Sequence, residues 1–242
     1  MRKIIKRLIL WVSYLLHPNN DSKVIYYHDV STRYTDMGTD LATIEKHFDV
    51  VRSNGYTFVD KITEEKGQIM VCFDDGWAGI YEAKDFFIKQ NVYPTIFVAV
   101  NLIGKQGYLS MKMIKELQSL GFHFEGHSWS HQDLTTFNEK ELMHELKDSK
   151  EKLSEMLGSE ITSICYPLGR FSRMVYEKSL EAGYTEMYSS LPGGYRIDCE
   201  GMALRGRNLL QYANATEVHY MINSISPLYY KRLLGQHLKR NS

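Results

Sequence analysis

A run of five apolar residues at 69–73, Ile-Met-Val-Cys-Phe, ends on two adjacent carboxylates, Asp74 and Asp75, and then on Gly76. The run reads as a buried strand, and the glycine lets the chain turn where the strand stops. Two neighbouring acids at such a place are costly, because like charges a few ångströms apart repel. A metal ion on one of them removes that cost and leaves the other free as a base. A second segment, Glu125-Gly126-His127-Ser128-Trp129-Ser130-His131, supplies the rest of a metal site. Asp75, His127 and His131 make one carboxylate and two imidazoles, a ligand set suited to a catalytic zinc with one position open for water. The two histidines are four residues apart, so a helical turn or a tight loop aims both rings at one point. Alone, Asp-Gly would read as a surface turn; the histidine pair shifts the balance towards a site.

Strand and helix signals alternate along the rest of the chain. Short apolar runs at 24–27, 56–59, 95–100, 161–166 and 185–189 read as strands, and 122–125 leads into the histidine segment. Helical patterns cover 41–53, 78–90, 111–120, 139–157 and 172–182. Leu41, Ile44, Phe48 and Val51 line one face of the first, Ser110 and Asn138 cap the third and fourth, and Gly121, Gly158 and Gly183 stop the last three. The stretch 191–206 reads as an irregular loop. A repeated βα unit predicts a mostly parallel sheet covered by helices. The acidic pair, the histidine segment and Pro167-Leu168-Gly169 each follow the end of a different strand, the face where parallel barrels carry their active sites. The pattern fits a barrel and an open sheet alike.

Phe73-Asp74-Asp75-Gly76 followed by His127-Ser-Trp-Ser-His131 resembles the NodB-like polysaccharide deacetylases, carbohydrate esterase family four. The likeness spans residues 24–208 and implies an α/β fold, a distorted and incomplete (β/α) barrel. It implies that Asp74 is the general base and that Asp75, His127 and His131 bind a divalent metal, zinc first, with cobalt or nickel as alternatives. A third family motif has its counterpart in Cys165-Tyr166-Pro167-Leu168-Gly169, where the Leu168 backbone amide would hold the oxyanion. Cys165 stands where the family often has arginine, and Arg170, Arg205 and Arg207 compete to replace it. The usual acid, a histidine in a C-terminal L-x-H motif, has no counterpart after Arg170; His219 and His237 lie in segments without it. Ile25-Tyr26-Tyr27-His28-Asp29-Val30 resembles instead the Y-H-D-V segment of circularly permuted biofilm-polysaccharide deacetylases, which makes His28 the general acid. Trp77 and Trp129, beside the metal motifs, line a sugar cleft or pack as core.

The chain has 242 residues and equal numbers of acidic and basic side chains. That length suits one barrel-sized catalytic domain at 21–242, and the balanced charge argues against a nucleic-acid protein. Cys72, Cys165 and Cys199 are too few and too odd in number for a disulfide framework. Residues 1–20 form a separate element: Met1-Arg2-Lys3-Ile4-Ile5-Lys6-Arg7 is basic, 8–16 is almost wholly apolar, and no small-x-small cleavage site follows. The stretch is too short to cross a bilayer. It suits a helix in a membrane interface or one packed on the domain; the basic, amphipathic 229–240 favours peripheral membrane contact through 1–16 and 229–240. The resulting expectation is a metal-dependent deacetylase acting on an N-acetylated amino-sugar glycan, polymeric or lipid-linked, in bacterial surface-glycan biosynthesis. It would sit in the cytoplasm or at the inner face of the membrane, with an exported, tethered form left open. A deformylase of a lipid-linked amino sugar and a glycan-binding pseudoenzyme are the alternatives. A non-haem iron oxygenase shares the ligand set, but its usual all-β scaffold does not match this βα pattern.

Overall fold

The protein, described as a computed structural model, is defined over residues 2–239. Its strands are β1 Lys23–Tyr27, β2 Thr57–Phe58, β3 Gln68–Phe73, β4 Thr95–Val98, β5 His123–Gly126, β6 Ser163–Cys165, β7 Glu186–Tyr188, β8 Arg196–Cys199, β9 Met202–Arg205 and β10 Arg207–Leu209. They make one sheet in the order β10-β1-β3-β4-β5-β6-β7-β9-β8, with β2 against the start of β3. Every pairing is parallel except β8 with β9. The helices are α1 Arg2–Leu16, α2 Leu41–Ser53, α3 Gly79–Glu82, α4 Lys84–Gln90, α5 Met111–Ser119, α6 Glu139–Met143, α7 Ser149–Leu157, α8 Arg173–Glu181, α9 Ala215–Ile222 and α10 Pro227–His237.

The strands β1, β3, β4 and β6 are buried on both faces almost throughout, and β3 accordingly reads as a nearly unbroken apolar run. Val24, Tyr26, Met70, Cys72 and Phe97 point into the barrel, whereas Ile25, Tyr27, Val71 and Phe73 point outward to the helices. This period of two carries past the strand ends: positions 28 and 74 continue the inward row. The sheet curls until its two ends nearly meet. Residues 202–209 belong to both ends, β9 pairing with β7 only at Tyr188 and Arg205, and β10 pairing with β1. Gly206 joins them. A Cβ there would stand 2.4 Å from Ile197 Cδ1 and 2.5 Å from the Gly194 carbonyl, so only glycine fits the seam. The result is a distorted, incomplete (β/α) barrel.

Three expectations need correction. The stretch 191–206 is not an irregular loop but carries the β8–β9 hairpin, whose two-residue turn, Glu200-Gly201, has φ of 54° and 77°. Two left-handed residues match the twist of paired strands. The helix expected over 78–90 is broken at Ala83 into α3 and α4. The helix expected over 139–157 is interrupted by a π turn, His144–Asp148, between α6 and α7. At the termini, α1 packs through Leu10 and Ser13 against α9 and α10, while Ile5, Leu8, Trp11, Leu15 and Leu16 face solvent. No helix among the described residues is long and apolar enough to cross a membrane. Met1 and Arg240 of the segments expected at the membrane lie outside the described residues.

Candidate active site and metal centre

A cavity of about 270 Å³ opens at the C-terminal ends of the strands. Asp74 and Asp75 reach it from the end of β3, His127 from β5, Leu168 from the turn after β6 and His28 from β1. His131, at the end of the β5 loop, completes the set of residues expected from the sequence, and all six line this one cavity. The backbone is bent hard to bring them there. Asp75, Ser128, His131 and Leu168 all have positive φ, between 58° and 70°. Such residues cost of order 1–3 kcal/mol each and persist where surrounding structure enforces them.

The enforcement is visible for the histidine loop. The buried carboxylate of Glu145 accepts from the backbone N–H groups of Trp129 and Ser130 at 3.1 and 2.9 Å. Glu145 belongs to the π turn, so the extra residue in that helix sets a carboxylate under the loop. Such bulges are frequent at functional sites. Trp77 has a related task, donating from Nε1 to Asp75 Oδ2 at 3.1 Å while stacking on Tyr108. Trp129 rests on His144. Neither tryptophan lines the cavity.

Asp75, His127 and His131 offer ligand atoms within 4.8 Å of one another. Their hydrogen bonding tests whether a cation fits. His127 Nδ1 lies 2.7 Å from the Cys165 carbonyl, which can only accept, so Nδ1 carries the hydrogen. In the neutral ring, Nε2 then presents a lone pair to Asp75 Oδ1 at 3.2 Å, and His131 Nε2 stands 2.9 Å from the same oxygen. A lone pair facing a carboxylate at a nearly solvent-free point calls for a positive charge between them, from a proton or a metal ion. Burial alone would push the Asp75 carboxyl up, but the two imidazoles outweigh it and hold it well below the usual carboxylate range. For His131 the same pairing overcomes burial and raises the imidazole. Asp74, His127 and Cys165 form a second cluster. It is the poorer cation site, because burial drives the Cys165 thiol far up and keeps it protonated.

Asp74 is occupied otherwise. Arg207 Nη1 and Nη2 donate to its two oxygens at 2.6 and 3.0 Å, deep inside the barrel. The guanidinium lies over Tyr26, 4.2 Å from the ring centre. Burial works against the Arg207 charge, and Asp74 outweighs it. Of the three competing arginines, Arg170 instead bonds Asp133 at 2.6 Å, and Arg205 lies 3.6 Å from Glu186. Arg207, from β10, is thus the one of the three that engages Asp74.

His28 Nδ1 lies 2.7 Å from Gln211 Oε1, which fixes the ring from the segment after β10. Leu168 is half exposed in the cavity wall. Two residues were not expected, one lining the cavity and one behind His28. Gln211 gave no sequence signal, since its role needs the β10–β1 pairing. His237, set aside for want of a motif, reaches the cavity from α10, with Nδ1 buried and unpartnered. Burial and nearby Arg170 lower its imidazole, a bond to the Leu168 backbone partly opposing them. His219 lies elsewhere, against Tyr14 and Tyr220.

Comparison with known proteins agrees with this geometry. The sequence profile of the polysaccharide deacetylase family matches residues 61–187, just over half the chain. YxkH of Bacillus subtilis (strain 168), provisionally named a polysaccharide deacetylase, is 27% identical over 190 residues, covering 74% of this chain and 67% of that one. Among solved structures, the Bacillus cereus polysaccharide deacetylase BC0361 superposes with a TM-score of 0.73 at 24% identity, over 84% of this chain and 69% of that one. IcaB from Ammonifex degensii gives 0.70 at 20%, over 84% and 98%. At these identities the structures speak for the fold, and the profile for the family. The chain belongs to the polysaccharide deacetylase family, the NodB-type enzymes of carbohydrate esterase family four.

Proposed function

We propose that the chain is a metal-dependent hydrolase that removes N-acetyl groups from an amino sugar of a bacterial surface glycan. The observation that carries this reading is the division of labour between adjacent acids: Arg207 engages Asp74, while Asp75 turns to His127 and His131. Asp75, His127 and His131 would hold the ion, zinc first, with cobalt or nickel as substitutes. Such an ion, when bound, acidifies a water and polarises the acyl carbonyl.

The chain's own groups do the rest. Asp74 takes the proton of the attacking water, using lone pairs that Arg207 leaves free. The Leu168 backbone N–H stabilises the negative charge that grows on the acyl oxygen. His28, with Nδ1 committed to Gln211, gives a proton from Nε2 to the departing amine. Acetate and the free amine leave. Arg207 and His28 also weaken the pseudoenzyme reading, which rested on the missing arginine and missing acid. The exposed apolar face of α1 supports a peripheral seat on a lipid surface, and hence a lipid-linked glycan as substrate.

The test is metal content and acetate release together. Wild-type protein should hold about one ion per chain, the two variants Asp75→Ala and His127→Ala none. Asp74→Asn should keep the ion and lose activity by about 10²–10⁴-fold. Formylated sugars, assayed beside acetylated ones, decide the acyl group. Failure to bind zinc, cobalt or nickel would remove the hydrolase reading.

A further inference from the structure

A second cavity, of about 250 Å³, lies between α1 and α10. Ile9, Leu10 and Leu233 give it an apolar floor, and Lys6 and Arg232 stand at its edge. Tyr229 and Leu233 line this groove and the active-site cavity alike, so the two spaces share a wall. Neither cation has a carboxylate partner among the described residues. Glu217, the acid whose charge reaches Lys6, is taken by Arg7 at 3.1 Å. Arg232 makes no ion pair among the described residues. Two cations without a carboxylate partner beside an apolar trough suit an anion that carries an apolar chain. Polysaccharide alone would use neither feature.

We propose that the α1–α10 groove binds the phosphate and first apolar segment of a polyprenyl-type lipid carrier, whose amino sugar reaches the active-site cavity across Tyr229 and Leu233. The features match the parts of such a ligand: a sugar cavity, an adjoining groove lined by two cations and apolar side chains, and the solvent-facing apolar side of α1. Lysine and arginine recognise phosphate through charge-assisted hydrogen bonds, stronger where water is partly excluded. Lys6 is in such a place, since burial lowers its ammonium and Glu217 restores it only in part. Ile9 and Leu233 take the chain by burial of apolar surface. The inference rests on the deacetylase reading for its sugar but not for its phosphate.

The experiment separates these. Binding of farnesyl phosphate to the full chain is measured against farnesol and inorganic phosphate, in wild type and in the Lys6→Ala/Arg232→Ala double variant. Farnesyl phosphate should bind at least about tenfold more tightly than either fragment, and about tenfold more weakly to the variant. Equal affinity in both proteins, or farnesol binding as well as its phosphate, overturns the proposal. Phosphatidylglycerol vesicles that displace farnesyl phosphate at the same lipid concentration would make the groove a headgroup site and overturn it too. Acetate release from an N-acetylated amino-sugar methyl glycoside, expected to be unchanged in the variant, reports separately on the deacetylase chemistry. Loss of that activity in wild type would retire the enzyme reading and leave the phosphate result standing. A melting temperature kept within a few degrees shows that the variant folds.

Discussion

Arg207 grips both oxygens of Asp74, at 2.6 and 3.0 Å, across 133 residues of chain, in a place where neither side chain is more than 6% exposed. The fork orients the carboxylate and neutralises it, so the acid beside it can be committed elsewhere. Arg207→Lys keeps the charge but loses the two-pronged geometry. Turnover should fall about 10²-fold with metal content unchanged, measured by acetate release and metal analysis. Arg207→Ala strands a buried carboxylate and should cost about 3–5 kcal/mol of stability in denaturant unfolding.

His28 and Gln211 form the second coupled pair. His28→Gln should lower kcat by about 10²–10³-fold while the ion stays bound. Gln211→Ala should lower kcat by about tenfold and leave KM alone, because it frees the ring to turn without touching substrate. Wild-type kcat in His28→Gln would pass the acid role to another group, with His237 next in the cavity.

Lys23 gives a pH signature of its own. It is fully buried, and burial lowers its ammonium to about 8, Asp21 offsetting part of the effect. In the unfolded chain the proton leaves near 10.4. Between those values the unfolded state holds more protons, so stability contributed by this residue rises with pH from about 8 to about 10. The full span is worth about 3 kcal/mol. Urea unfolding of wild type and Lys23→Met should converge over that window; parallel curves would show that Lys23 titrates normally.

Gly206→Ala should disturb the seam rather than the pocket wall. Its Cβ would meet the Gly194 backbone at 2.5 Å, which cannot swing aside as a side chain can. A loss of about 1–3 kcal/mol is expected, together with reduced turnover, since Arg207 is the next residue. Thermal unfolding and acetate release measure the two effects.

Much of the barrel, and the convergence of six residues on one cavity, was legible because each lies at a strand end or in the short segment that follows one. Ile-Met-Val-Cys-Phe before Asp74, and Ile-Tyr-Tyr before His28, carry both the strand and the inward parity. What was not legible depended on partners distant in sequence or on unusual turns. Arg207 is one arginine among several until β10 pairs with β1. Glu200-Gly201 makes a hairpin turn without the Asn or Asp that usually announces one. Glu145 looks like any exposed helical acid, and only the π turn brings it beneath the histidine loop.

The seam at residues 202–209 also sets the order in which the protein can come to life. A ribosome releases the Asp75, His127 and His131 segments long before it releases Arg207. Until then Asp74 has no counter-charge, β1 lacks its outer neighbour and His28 lacks Gln211. The cavity is therefore closed last by residues late in the chain, Arg207 and Leu209 from β10 and then Tyr229, Leu233 and His237 from α10.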